Sequence, residues 1–134
     1  MKRLLLACSL LLSGAVFAAE VAAPKAEAQI EISQDKGLDY HNYYFGMVPV
    51  NTRSYAEYRV TNTGNVPLQM QRASVMGTSF GARTNCSVLY PRETCRFTIE
   101  FTPYFEGYHN GQFRMMFNQG YEIIVALSGQ ARRR

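Results

Sequence analysis

The sequence predicts an all-β fold: an immunoglobulin-like antiparallel β-sandwich of about seven to eight strands. Three observations carry this. Apolar and polar residues alternate with period two, turn signals recur about every eight to twelve residues, and no long stretch shows helical period with caps. The chain has 134 residues, one domain's worth, with 47% hydrophobic residues, nine Tyr and eight Phe, enough aromatic volume for one core.

The chain opens with basic Met1-Lys2-Arg3, an uncharged apolar run from Leu4 to about Val16, and Val16-Phe17-Ala18 at the −3 to −1 positions of a cleavage site. This reads as a signal peptide over residues 1–18, cut after Ala18, which makes the mature protein periplasmic or secreted. A membrane anchor needs about 20 apolar residues; this run is shorter and interrupted by Ser9, Ser13 and Gly14. A lipidated Cys8 would leave too little apolar segment ahead of it. No transmembrane segment is expected after cleavage. Residues 19–29 contain no aromatic side chain and read as a flexible leader, because such a composition buries too little surface to offset its ordering entropy.

The sandwich is expected over residues 30–131. Ile30 to Ser33 and Met47 to Val50 are weak strand signals. Tyr55 to Asn62 is clearer, with Ala56, Tyr58 and Val60 inward and Glu57, Arg59 and Thr61 outward. Val66 to Gln71 and Gly77 to Ala82 are again weak. The strongest strand runs from Arg96 to Thr102, where Phe97, Ile99 and Phe101 share one face. Gln112 to Phe117 and Tyr121 to Leu127 complete the set, the first with Phe113, Met115 and Phe117 inward, the second with Tyr121, Ile123, Val125 and Leu127 inward. Asn51-Thr52, Asn62-Thr63-Gly64-Asn65, Tyr90-Pro91-Arg92-Glu93, Gly107, Asn110-Gly111 and Asn118-Gln119-Gly120 supply turns. A closed small barrel is the alternative architecture. Residues 132–134 form a basic tail.

Loss of residues 1–18 removes Lys2, Arg3 and Cys8 from 14 Lys plus Arg and three Cys, leaving 12 basic against 10 acidic residues. The folded part is near neutral, with its basic residues scattered, so no nucleic-acid face is expected. The remaining Cys86 and Cys95 have one possible pairing in an oxidising compartment. Closing that ring contributes about 2.7 kcal/mol on the chain-entropy estimate.

Five motifs then stand in order: Phe45-Gly46-Met47-Val48-Pro49-Val50; Val60 to Leu68 with Asn62-Thr63-Gly64-Asn65; Cys86 to Cys95; Phe101-Thr102-Pro103 with Gly107-Tyr108; and Leu127-Ser128-Gly129. Together, over roughly Tyr40 to Ala131, they resemble the ASH/HYDIN-type immunoglobulin-like domains, relatives of the major sperm protein fold whose bacterial examples are often called choice-of-anchor D domains. The resemblance implies an interaction or structural module and no enzyme. Asn62-Thr63-Gly64-Asn65 is expected to turn through positive φ at Gly64 or Asn65. Where the family commonly has Pro-Gly, this chain has Pro91-Arg92, so a type I turn is expected there. Asn51 replaces a usual glycine and tolerates the left-handed region.

No catalytic set emerges: His41 lies beside an aromatic run, His109 lies in a turn, and the acidic residues stand singly where solvated surface is expected. Met70, Met76, Met115 and Met116 raise the alternative of a small periplasmic metal or ligand carrier, since thioethers suit Cu(I), but Met70 and Met115 fall on core faces. No cofactor is expected. The partner is expected to be an envelope protein, with Tyr40, Tyr43 and Tyr44 as candidate contacts. Intact-mass measurement of the exported protein checks the processing: the expected mass begins at Ala19, and a mass that retains residues 1–18 or carries lipid on Cys8 refutes it.

Overall fold

Alternation along single strands only becomes a core when two sheets face each other, and the computed structural model, which describes residues 25–33 and 37–133, places them so. Among the described residues nine strands form: β1 (Lys25–Ile32), β2 (Leu38–Pro49), β3 (Ser54–Asn62), β4 (Leu68–Met76), β5 (Phe80–Thr84), β6 (Val88–Leu89), β7 (Thr94–Phe101), β8 (Gly107–Phe117) and β9 (Glu122–Arg132). One sheet has the order β1-β3-β7-β5, the other β2-β9-β8-β4-β6. Their pairings are antiparallel except β1 with β3 and β2 with β9. This is the expected sandwich.

The alternating residues of β3, β7, β8 and β9 meet between the sheets. Val60, Phe97, Ile99, Phe101, Met115, Ile123 and Val125 are fully buried, and Ala56, Tyr58, Phe113, Phe117, Tyr121 and Leu127 nearly so. Phe97 joins the layers, stacking on Tyr58 at 5.0 Å within its own sheet and on Phe113 of the facing sheet at 4.4 Å. Gly129 is required by this packing: a Cβ there would lie 2.6 Å from the Phe101 ring, closer than atoms pack.

The N-terminal part of the chain serves both sheets. Of the leader expected over residues 19–29, residues 19–24 lie outside the described residues, and Lys25 to Gln29 belong to β1, pairing with Tyr55 to Arg59. Composition weighs side-chain burial alone, whereas this segment gains backbone hydrogen bonds along β3 and is anchored by buried Ile30 and Ile32. The signal peptide expected over residues 1–18 lies outside the described residues. At the other end the strand runs through Arg132, opposite Pro49, so the sandwich includes the first residue assigned to the basic tail. Arg133 donates its backbone N–H to the Glu106 carboxylate at 3.0 Å.

β2 is far longer than Met47 to Val50, absorbing the whole aromatic run. It pairs with β9 in register from Leu38 to Tyr44 and then bulges: Tyr44 faces Ser128 while Met47 faces Gln130. Gly46 takes φ +82° there. The extra residue reverses the facing of the strand beyond it, so that Val48 as well as Phe45 turns inward.

Three local expectations are corrected. No positive φ occurs at Gly64 or Asn65. The turn is made instead by the buried Asn62 side chain, whose Oδ1 accepts from Gly64 N–H at 2.9 Å and whose Nδ2 donates to Val66 O at 2.8 Å and Leu89 O at 2.9 Å. The Tyr90 to Glu93 turn has positive φ at Arg92 (+69°), not type I geometry. Three bonds hold it: Glu93 N–H to Tyr90 O, Arg92 N–H to Asn62 O, and Tyr90 N–H to the Glu93 carboxylate. Glu57, expected to be solvated, is 4% exposed because β3 lies between β1 and β7, and it faces Arg96 at 3.5 Å. The anticipated left-handed geometry at Asn51 is present, φ +68°.

Asn62→Ala leaves Gly64 N–H, Val66 O and Leu89 O without their partner, and urea denaturation is expected to show a loss on the order of 3 kcal/mol. Asn65→Ala, on the exposed side of the same turn, should stay within about 0.5 kcal/mol. Ile99→Asp places a carboxylate in the inter-sheet core and is expected to abolish the cooperative transition altogether.

Candidate functional site

Adjacent strand residues point to opposite faces, so the run Tyr40 to Phe45 cannot act as one surface. Parity and the register with β9 divide it. His41, Tyr43 and Phe45 turn inward and are half-buried; Tyr43 meets Phe45 edge-on at 4.7 Å and Tyr58 at 6.5 Å. Tyr40 and Tyr44 project outward, 58% and 56% exposed, joined on the same strand by exposed Leu38 and Met47. The sequence reading thus places two of its three tyrosines on a surface and one, Tyr43, against the core. It missed Leu38 and Met47, for which the apolar character of the residues was the only signal.

β2 is also the outermost strand of its sheet, with β9 as its hydrogen-bonded neighbour. Its outer edge carries main-chain donors and acceptors, and beside it lie the exposed side chains. Asp39, near its start, accepts a hydrogen bond from the Tyr121 hydroxyl, which ties β2 to the turn before β9.

Burial sets the tyrosine chemistry here. Desolvation, and then the neighbouring Tyr43, raises Tyr58 from the usual 10 to about 12; burial raises Tyr43 as well. Tyr121 is held well above the ordinary phenol range by burial and then by Asp39.

The two cysteines are joined, with Cα atoms 5.1 Å apart. They fix the loop that carries β6 and are buried at 6% exposure each, a structural position. His109 lies in β8 rather than in a turn, is 5% exposed, and contacts Ser79 Oγ through Nδ1 at 2.7 Å and Phe105 O through Nε2 at 2.9 Å. Thirty positions separate this pair in the chain, so no local motif announces it. A serine beside a histidine is the start of a nucleophilic set, but here the second ring nitrogen meets a carbonyl rather than a carboxylate, and both side chains are buried. Their arrangement braces the β4–β5 turn against β8.

The methionines diverge. Met115 is fully buried, its neighbour Met116 points to the opposite face, Met70 is half-buried, and Met76 is 65% exposed. Among the described residues no three His, Cys, Asp or Glu side chains gather as a metal site, and no helix is long and apolar enough to cross a membrane. A hollow of about 470 Å3 lies at one end of the sandwich between Asn51, Tyr104, Phe105 and Arg133. The exposed Tyr104 and Phe105 belong to it, and Glu106 there pairs with Arg133 at 3.6 Å.

Linkage gives a pH test of the buried phenols. The unfolded chain ionises Tyr58 near 10 while the folded one retains the proton to about 12, so this contribution is complete below pH 10 and is lost as pH rises towards 12. Tyr58→Phe is expected to flatten that part of the decline when urea unfolding at about pH 8 and about pH 11 is compared.

Comparison with known proteins agrees with this architecture. Residues 37–130 match the family model described as "HYDIN/CFA65/VesB-like, Ig-like domain". Among solved structures, the ASH/PapD-like domain 7 of human CEP192 superposes with a TM-score of 0.56 at 14% identity, over 72% of this chain and 84% of that one. A Porphyromonas gingivalis W83 protein of unknown function gives 0.57 at 16% identity, over 92% of this chain and 54% of that one. The secreted serine protease VesC of Vibrio cholerae gives 0.53 at 14% identity over 66% of this chain, which spans only 21% of the protease. At these identities the likenesses show the fold alone. No curated protein shows significant sequence similarity. With the matched segment running from Gly37 into β9 and both sheets in place, the chain belongs to the HYDIN/CFA65/VesB-like immunoglobulin-like domain family.

Proposed function

We propose that this chain is an exported, non-enzymatic interaction module of the cell envelope that holds a protein partner along the outer edge and face of β2. The observation that carries this reading is an edge strand of twelve residues whose outward side chains include exposed Leu38, Tyr40, Tyr44 and Met47. Edge strands expose a row of main-chain groups to another chain, and tyrosine adds contact area at low entropy cost. The family assignment supports an interaction role. The N-terminal sequence supports export, and a disulfide suits an oxidising compartment. No specific observation favours the carrier alternative, since the thioethers of Met115 and Met116 face opposite ways.

A photoreactive amino acid placed at Tyr40 is expected to crosslink an envelope protein in intact cells, and Tyr40→Ser with Tyr44→Ser should reduce capture at least about tenfold with the melting temperature little changed. Tyr43→Ser should instead lower stability. Unchanged crosslinks in the Tyr40, Tyr44 double variant would remove β2 as the contact.

A further inference from the structure

The two sides of the sandwich are closed differently. On the β1/β2 side, Tyr43 and Phe45 fill the gap between sheets by packing on Tyr58 and Phe101. On the β4/β5 side Phe80 stacks on Phe101 at one end, and beyond it the inward positions hold Ala73, Val75, Ala82 and Thr84. These small residues leave a cleft of about 270 Å3 floored by Phe113 and bordered by Arg83.

Both strands beside that cleft have an open edge. β5 hydrogen-bonds to β7 alone among the described residues. β6 covers β4 only at Leu68 and Gln69, with Met70 N–H bonded to Ser87 O, so from Gln71 to Met76 the far side of β4 has no strand partner among the described residues.

Charge selects what fits. From Tyr58 to Arg92 the chain contains four arginines and neither Asp nor Glu. Arg72 on β4 and Arg83 on β5 are exposed, and neither enters an ion pair among the described residues, whereas Arg53, Arg96, Arg114 and Arg133 face Glu100, Glu57, Glu122 and Glu106.

We propose that the open edge of β4 takes up an extended acidic segment of a partner protein as an added strand. Its apolar side chains enter the cleft beside Ala73 and Val75, its alternate carboxylates meet Arg72 on the outer face of the β4 sheet, and Arg83, at the rim of the cleft on the facing sheet, adds positive charge beside them. The proposal rests on the reading of the domain as a protein-interaction module and adds a second docking edge with its own ligand chemistry.

The test titrates the ¹⁵N-labelled exported protein with a peptide of alternating Glu and Val, and separately with the peptide in which Lys replaces Glu. The acidic peptide should shift the amides of Gln71 to Met76 and slow their hydrogen exchange, and binding should weaken with salt. Arg72→Glu with Arg83→Glu, both at exposed positions, should weaken the acidic peptide at least about tenfold and favour the basic one. Shifts confined to β2 would overturn the β4 assignment while keeping the interaction-module reading. Equal responses to the two peptides, no response at millimolar peptide, or concentration-dependent shifts at β4 without peptide would also overturn it, the last by identifying a second copy as the occupant.

Discussion

Asn62 is the residue around which this sandwich is arranged. It sits fully buried at the end of β3, where the chain must leave the sheet, and every polar group it has is used. Its carboxamide holds Gly64, Val66 and Leu89, while its backbone N–H and C=O bond to Glu93 O and Arg92 N–H. One residue thus connects the exit of β3, the approach to β4, β6, and the turn that leads into β7. The disulfide closes the same loop covalently. A buried amide with all its bonds made specifies a geometry, because any other position of the loop leaves several donors and acceptors unpaired away from water.

From that node the positive φ at Arg92 becomes intelligible. A non-glycine residue in the left-handed region costs on the order of 1 kcal/mol. Here the turn donates Arg92 N–H to Asn62 and secures Tyr90 with the Glu93 side chain, so the neighbouring hydrogen bonds offset the backbone penalty. The same use of polar groups runs through the molecule. Ser79, His109 and the Phe105 carbonyl form a buried chain that fastens a turn to β8, and Tyr121 reaches Asp39 to secure the start of β2. Residue types that serve as nucleophile, base or acid elsewhere serve here to position strands.

Function in such a scaffold falls to its margins. The inter-sheet space is filled by aromatic and aliphatic side chains, with Phe97 and Phe101 at its centre. The edges remain, and they differ. β2 offers a long edge with tyrosines beside it, whereas β4 and β5 offer short edges with alanines between and arginines outside. The difference arises because the N-terminal chain crosses from one sheet to the other, lending bulky side chains to one side only. A partner would meet main-chain geometry first and side-chain chemistry second.

The fold class and the composition of the core are legible in the sequence alone. Alternation is a property of each strand by itself: Phe97, Ile99 and Phe101 must share a face in any extended conformation, and so must Ile123, Val125 and Leu127. The pairing of Cys86 with Cys95 was likewise legible, since the expected removal of the first eighteen residues would leave only two cysteines. Whatever depends on neighbours remote in the chain is settled by the folded arrangement instead. Which of two adjacent tyrosines faces solvent is set by the register of β2 on β9 and by a bulge at Gly46. That Lys25 to Gln29 are strand is due to a β3 edge thirty positions away. Strand order settles which edges stay open, and strand order is a relation between segments that no window of sequence contains. The use of Asn62 was hidden for the same reason: its most distant side-chain partner, Leu89, lies 27 positions on, and only the folded chain brings that carbonyl within hydrogen-bonding distance of its amide.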